Sequence, residues 1–530
     1  MPNSDLSNQQ KLVTALLDGR RYPHAAKTVQ LIETHISWVL LAGRYAYKIK
    51  KAVDLGFVDF TQLDARLFFC TEEIRLNRRL APKIYLNVVS IGGSPNRPQL
   101  GGQPALDYAV RMRRFASSRL MDHLLERDRL LPLHIDRLAA VVAAFHRDVS
   151  IAAADSPFGT AAAIRAPQLQ TFAQLAELTG VAERELVVAL QAAFDVEYRV
   201  CLRAFAERRA HGFVRECHGD LHLGNIALIG DEPVPFDGIE FDPALRWIDV
   251  INDVAFTVMD LLHRARPQFA YRFLNAYLEA SGDYAGMTLL RFYCAGRALV
   301  RAKVNAIQAA QPTLSHQDGD AARSVCRDYL ALAANCLARR RPALIITHGL
   351  PGSGKSTFAQ LALEKFQAIR IRSDVERKRL FGLAALDHSR SASGSDIYGA
   401  DATQRTYAHL LQTARTLLTA GLPVIVDAAF LKQAQRAQFC QLAVDLKVPF
   451  AIAAMHAERH ALDARITQRL AHATDASEAD LDVLDTLQTA QEVLTPQELP
   501  YAIQFVSAGV DAADGGSWLA LEKVRSAKTE

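Results

Sequence analysis

The sequence predicts two folds in one chain: an α+β region, made of a small β-rich lobe and a helical lobe, and then an α/β domain with a parallel sheet. Three observations carry this expectation. Short stretches that read as strands cluster between residues 29 and 112. Helical periodicity dominates 122–340, interrupted by a polar segment at 218–242. From Pro342 onward apolar runs alternate with helical ones. Composition agrees: half of the 530 residues are apolar, enough for more than one core. A net charge of +4 with 22% charged residues gives no bulk attraction to nucleic acid or to a membrane surface. Seven scattered cysteines without a C-x-x-C pair suit a reduced, cytoplasmic setting. No signal-peptide pattern and no apolar run of about 18 residues is present, so no membrane association is expected.

In chain order, an opening helix at about 8–17 leads into strands at 29–33, 38–41 and 45–50, which suggest a meander. Residues 62–80 space Leu63, Leu67, Phe68, Ile74 and Leu80 as a helix that stops at Ala81-Pro82. Residues 84–91 and 108–112 read as strands around the turn-rich IGGSPNRPQLGGQP. Helices are expected at 122–149 and 172–209 with a connecting loop at 158–170, and 226–229 is a strand closed by Gly230-Asp231. Helices then fill 248–309 and 321–340. The expected domain limits are 1–320 (small lobe about 25–113, helical lobe about 114–312), a linking helix at 321–341, and 342–530. In the last, strands are expected at 343–347, 368–372, 424–426, 450–455 and 502–506, and a polar loop at 388–395 could face a substrate.

GLPGSGKS, residues 349–356, is the strongest single motif. Its glycines let backbone N–H groups turn inward around phosphate oxygens, and the helix that follows adds its positive N-terminal end. Gly349, Gly352, Ser353, Gly354, Lys355, Ser356 and Thr357 are therefore expected to bind ATP, with Lys355 at the β/γ-phosphates and Ser356 on Mg²⁺. Asp427 ends the apolar run PVIVDA, where a Walker B carboxylate meets Mg²⁺. Asp374 follows AIRIRS at the carboxyl end of the second strand, where open α/β sheets gather ligands. It could accept a proton from a substrate hydroxyl, with Arg377 one helical turn on as an anion clamp; otherwise Ser373 or Asp374 caps the helix. Arg465 and Arg469 share a helix face and could close over ATP as a lid, a solvated basic face being the plain alternative. Ser477 and Asp480 have capping-box spacing and carry no chemistry.

HGDLHLGN, residues 218–225, is the second chemical signal. An Asp five residues before an Asn, with another Asp after an apolar strand, supplies a proton acceptor and two oxygen ligands for Mg²⁺. His218 and His222 have no third His or Cys at useful spacing, which disfavours zinc.

The segment resembles the catalytic loop of the aminoglycoside phosphotransferase and choline kinase group, relatives of the protein kinases, and the resemblance covers roughly residues 25–310. It implies a protein-kinase-like fold for that region, with Asp220 as catalytic base, Asn225 and Asp237 as Mg²⁺ ligands and Asp253 as a structural Asp. AYKIKK resembles the strand that bears the ATP-binding lysine: Lys48 is favoured and Lys50 is the alternative. Glu73, or its neighbour Glu72, is the implied ion-pair partner. The first hairpin, IETHISWVLLAG, has no glycine-rich loop, so phosphate covering would rest on backbone around 34–37. The second half resembles the small P-loop kinases grouped with zeta toxin and the kinase domain of polynucleotide kinase. This implies an α/β P-loop NTPase fold, Asp374 as base, and Arg465 and Arg469 as lid arginines. The order of modules resembles bacterial proteins that carry both in one chain.

Together these signals point to a two-headed ATP- and Mg²⁺-dependent phosphotransferase acting on hydroxyl groups of small molecules. Two alternatives stand beside it. One is a nucleotide-gated regulator in which one or both heads bind ATP without transfer. The other is a nucleic-acid end kinase at the P-loop head, against which no basic stretch interleaved with aromatics occurs in the second half. The sequence names neither acceptor, and it leaves the coupling between heads and the oligomeric state open.

Overall fold

Period-two alternation between residues 29 and 113 produces β1 (Val29–Glu33), β2 (Ser37–Ala42), β3 (Tyr45–Lys50), β4 (Tyr85–Ser94), β5 (Arg97–Leu100) and β6 (Asp107–Arg113) in the computed structural model. The model describes residues 3–56, 58–311, 315–339, 341–387, 397–472, 476–506 and 515–526. The six strands form one antiparallel sheet in the order β1-β2-β3-β6-β4-β5. One face buries Trp38, Leu40, Tyr47 and Ile49 against Leu12 and Val13 of the opening helix, Asn3–Ala15, and Leu16 just after it. The other face packs Ala46, Tyr85, Val110 and Met112 around Cys70 of the helix Leu63–Asn77. Alternation along β3 therefore turns Lys48 and Lys50 toward that helix, on the side of Ala46.

Four short strands follow: β7 (Val214–Glu216), β8 (Ile226–Ile229), β9 (Glu232–Pro235) and β10 (Trp247–Asp249), paired antiparallel as β7 with β10 and β8 with β9. One expectation fails here. The stretch 158–170 is not a loop: a helix runs over Ala161–Leu178 with Pro167 inside it. Burial of Thr171, Phe172 and Leu175 holds this helix together, although the proline forgoes one backbone hydrogen bond. The next helix, Val181–Ala210, begins after a break at Thr179-Gly180, where the Thr179 hydroxyl donates to Leu175 O at 2.6 Å.

The C-terminal sheet is all parallel. Its strands β11 (Leu344–His348), β12 (Ile369–Arg372), β13 (Val424–Asp427), β14 (Phe450–His456) and β15 (Ala502–Val506) lie in the order β12-β13-β11-β14-β15. The almost unbroken burial of β11, β12, β13 and β14 is what helices on both faces of a parallel sheet require, while β15 at the edge is largely uncovered. The chain is thus an α+β region followed by an α/β domain with a parallel sheet.

Packing divides the chain into two compact units, Met1–Leu169 with Phe205–Asp260, and Gln170–Ala204 with Leu261–Glu530. The helices between 261 and 309, which the limits 1–320 group with the first half, pack in the second unit. Asn275, buried in the helix Pro267–Ser281, explains part of this. Its Nδ2 donates to Ala368 O at 2.9 Å and its Oδ1 accepts the Arg370 N–H at 2.6 Å, so it pairs the outer edge of β12. Arg272 adds an ion pair to Glu364 at 2.9 Å. No helix among the described residues is long and apolar enough to cross a membrane.

Candidate functional site

In the first unit, β3 and the helix Leu63–Asn77 bring both sequence-level lysines to one carboxylate. Lys48 Nζ lies 3.0 Å from Glu73 Oε1 and 2.6 Å from Asp237 Oδ1. Lys50 Nζ lies 2.7 Å from Glu73 Oε2 and also pairs with Glu240. Glu72 turns away to Arg75, at 2.9 Å. Of the two lysines, Lys48 is the one paired with Asp237, and it keeps 11% exposure while Lys50 and Glu73 have none. Burial alone would raise the Glu73 pKa, but Lys48 and Lys50 overcome it and hold the carboxyl down at about 2. Burial opposes charge on Lys48 as well, yet Asp237 and Glu73 keep its pKa well above the ordinary value. For Glu240 burial wins, and its pKa is raised despite Lys50.

Asp237 has a left-handed backbone, φ 61°, a conformation that a non-glycine residue keeps only when its surroundings impose it. Two side chains do so. Tyr85 Oη accepts the Asp237 N–H at 3.0 Å, and Asn77 Oδ1 accepts the Gly238 N–H at 2.7 Å. Asn225 sits alongside, because its carbonyl accepts the Phe236 N–H at 2.9 Å. The Asn225 amide donates to Asp220 Oδ2 at 2.9 Å, so three of the motif residues form one contiguous polar group. Asn225 and Asp237 offer the oxygen donors that Mg²⁺ takes.

Buried Asp253 anchors the loop by accepting the N–H groups of His218 at 3.0 Å and Gly219 at 2.9 Å. Gly219 needs its glycine: φ is 85°, and a Cβ would lie 2.7 Å from Leu245 O. His218 Nε2 donates to Phe236 O at 2.9 Å while its Nδ1 accepts the Asp220 N–H at 3.3 Å, a pattern that needs the neutral ring. Burial pushes its pKa down accordingly. His222 uses Nδ1 to accept the Gly224 N–H at 3.1 Å, so the two histidines do not converge as a metal pair. In the turn at 34–37 the Thr34 and Ser37 N–H groups are spent on Ser37 O and Thr34 Oγ1, at 2.9 and 3.0 Å.

In the second unit, Gly352, Gly354, Lys355, Ser356, Thr357, Asp374, Asp427, Arg465 and Arg469 all line one cavity of about 950 Å³. The phosphate loop runs from β11 into the helix Lys355–Phe366. Gly349, at φ 147°, passes so close to β14 that a Cβ would lie 2.7 Å from Met455 O. Ser353 Oγ is buried without a hydrogen-bond partner. Lys355 Nζ donates to Leu350 O at 2.8 Å, and Arg465 Nη1 donates to Gly352 O at 3.0 Å, which lays Arg465 on the loop. Arg469 Nη2 donates to Ala479 O at 2.5 Å. At the end of β13, Asp427 is 5% exposed and its Oδ2 accepts no hydrogen bond. A buried carboxylate oxygen left so is what a hard cation requires, and Asp427 with Ser356 fits Mg²⁺.

Asp374 stands in the first turn of the helix Ser373–Leu380. The N-cap of that helix is Arg372, with no side-chain cap bond, so neither Ser373 nor Asp374 is the cap. Arg377 is already engaged, donating to Ile397 O at 2.7 Å and to Thr403 Oγ1 at 3.2 Å with Tyr398 beneath it. Asp480 caps the helix Leu481–Ala490, so that helix starts after Asp480 and not at Ser477. The 388–395 loop lies outside the described residues.

Four residues of these sites carry no role in the sequence reading: Asn77, Tyr85, Glu240 and Arg372. Asn77 and Tyr85 act on backbone N–H groups, for which no motif exists. Glu240 and Arg372 stand inside the motifs FDGIEF and AIRIRSD, and their charge next to an assigned Asp was the available signal.

The chain is 31% identical over 423 residues to "Uncharacterized protein Rv2004c" of Mycobacterium tuberculosis (strain ATCC 25618 / H37Rv), covering 79% of this chain and 81% of that one. "Uncharacterized protein Mb2027c" of Mycobacterium bovis (strain ATCC BAA-935 / AF2122/97) matches with the same figures. The chain belongs to their family. In this member of the family, residues 344–494 match the family model described as an AAA domain, a range that holds Gly349–Thr357, Asp374, Asp427, Arg465 and Arg469. Among solved structures, amicoumacin kinase in complex with AMP-PNP, Ca²⁺ and Ami is 13% identical over 61% of this chain and 93% of its own, with a TM-score of 0.40. A gluconokinase from Sinorhizobium meliloti 1021 is 19% identical over 36% of this chain and 92% of its own, with a TM-score of 0.24. Scores this low assign neither activity nor substrate.

Proposed function

We propose that the chain is an ATP-dependent phosphotransferase with two kinase-like heads, each transferring a phosphoryl group to a hydroxyl of a small molecule. The observation that carries the proposal is one cavity in the second unit, which collects a phosphate loop, a buried carboxylate with an oxygen that accepts no hydrogen bond, a candidate base and two arginines. In that head Lys355 and the loop N–H groups hold the ATP phosphates, Arg465 and Arg469 offset charge on the transferring group, and Asp374 takes the acceptor proton. Ser356 and Asp427 would hold Mg²⁺, which supplies further neutralisation of phosphate charge when bound. In the first head Lys48, fixed by Glu73, meets the nucleotide, Asn225 and Asp237 offer cation ligands, and Asp220 is the base.

The test is transfer of label from γ-labelled ATP to a metabolite extract by wild type, Asp220→Asn and Lys355→Ala. Distinct acceptors lost in each variant are expected. Folded, ATP-loaded protein that labels no acceptor overturns the proposal, and nucleotide binding without transfer is then the outcome that a gated regulator requires.

A further inference from the structure

The helix Val181–Ala210 carries two seams on opposite sides. Its inner seam, Val187, Leu190, Phe194, Tyr198 and Cys201, is buried, and the Phe194 ring lies 4.5 Å from that of Phe292 and 5.6 Å from that of Phe172. The outer seam is Val181, Glu185, Val188, Ala192, Val196 and Arg199, all exposed and spaced by three or four residues, which keeps them on one stripe of the helix. Val181 is 75% exposed, Val188 62%, Val196 49% and, beside them, Val200 57%. Among the described residues no other helix exposes as many large apolar side chains. A helix packed on one side normally gives its other side to charge, and an apolar stripe there marks a contact surface.

The charges on this seam say what covers it. Glu185 stands seven residues before Ala192 and Arg199 seven after it, as Val188 and Val196 stand four before and four after. Glu183 pairs with Arg327 at 3.4 Å and Glu197 with Arg291 at 2.9 Å, whereas Glu185 and Arg199 meet no opposite charge among the described residues. A two-fold axis through Ala192 lays Val188 on Val196 and Glu185 on Arg199 of an identical helix running the other way. A parallel pair in register would set Glu185 on Glu185 and Arg199 on Arg199, like charge on like charge. We propose that this face docks a second copy of the chain, antiparallel, in an isologous dimer with its axis at Ala192. The small side chain of Ala192 lets the two helices approach there, and the whole seam lies within the second unit.

The test is sedimentation velocity of the full chain over a concentration series. One helix pair lies at the small end of protein interfaces, so a dissociation constant of about 1–100 μM is expected. Ala192→Lys, which apposes two like charges at the axis, is expected to weaken the dimer by about tenfold or more. Glu185→Arg and Arg199→Glu each set like charges together twice and should each weaken it about tenfold at low salt. An equimolar mixture of those two single variants is expected to regain wild-type affinity, because each then meets the opposite charge on the other. The control is Val444→Lys, at an exposed apolar residue of the helix Gln433–Leu446, which should leave association unchanged.

A wild type that stays monomeric throughout that range overturns the proposal and leaves the face to a partner of another sequence. A dimer that Ala192→Lys leaves intact overturns it too, because association then uses a different surface. The mixture tests the pairing itself: two weakened variants that do not recover when combined refute the antiparallel register and the proposal with it. Should Ala192→Lys fail to fold, as read by circular dichroism, the mixture decides alone.

Discussion

Replacing Lys50 by Met separates the roles of the two lysines of β3. Lys50 has no exposure and bridges Glu73 and Glu240, the latter 4% exposed. Glu73 would keep Lys48 at 3.0 Å, so the group orphaned by Lys50→Met is Glu240. Removing one partner of a buried ion pair costs about 3–5 kcal/mol. The lower end is expected, about 3 kcal/mol, because burial already raises the Glu240 pKa and protonation limits the loss. For the same reason the cost should shrink as pH falls. Lys50→Met with Glu240→Gln leaves no orphaned charge and should recover most of the stability, to within about 1 kcal/mol of wild type. The assay is urea unfolding followed by tryptophan fluorescence in a Trp518→Phe background, where Trp38 and Trp247 both report on the first unit. A lower midpoint at unchanged slope is the expected signature. A Lys50→Met cost below about 1 kcal/mol, or a double variant as unstable as the single one, would show that no uncompensated buried charge was created.

Asp220→Asn should lower labelled transfer at the first head by about 10²–10⁴-fold while nucleotide affinity holds, measured by single-turnover transfer alongside binding. Asn275→Leu leaves Ala368 C=O and the Arg370 N–H without their partner and should cost about 3 kcal/mol, read from the denaturation midpoint of the second unit. His218 is held below its ordinary pKa of 6.5, so the unfolded chain binds its proton first: stability is full above that pH and declines as pH falls below it. Denaturation between pH 7.5 and 5.5 should show a shallower decline in His218→Asn than in wild type, and equal declines would contradict the assignment of a neutral ring.

Strands bounded by punctuation were legible from sequence. The run at 226–229 is apolar and closed by Gly230-Asp231, and β8 occupies the same residues. β7 and β10 were not legible, since three residues each acquire strand geometry only from a partner some thirty positions away (Val214 against Asp249, for example). The stretch 158–170, expected as a loop, fails in the opposite direction: Pro167 locally disfavours a helix, and the burial of Phe172 and Leu175 overrides it. The site divides in the same way. The residues expected to hold phosphate stand in a spaced motif, GLPGSGKS, and those of HGDLHLGN were reached through a family resemblance. Asn77, which accepts the Gly238 N–H across 161 positions, is an ordinary helix residue until the fold delivers it. Lys48 and Lys50 share a face, so alternation could not choose between them; the contact of Lys48 with Asp237 distinguishes them.

The pairing of Asn275 with β12 bears on how the P-loop module can be handled experimentally. β12 is the terminal strand of its sheet, and an uncovered strand edge is a template for another chain's backbone. A fragment cut at residue 342, where the sequence invites the cut, would lose the helix Pro267–Ser281 and open the Ala368–Arg370 edge. Such a fragment should be prone to self-association even with every nucleotide-binding residue in place.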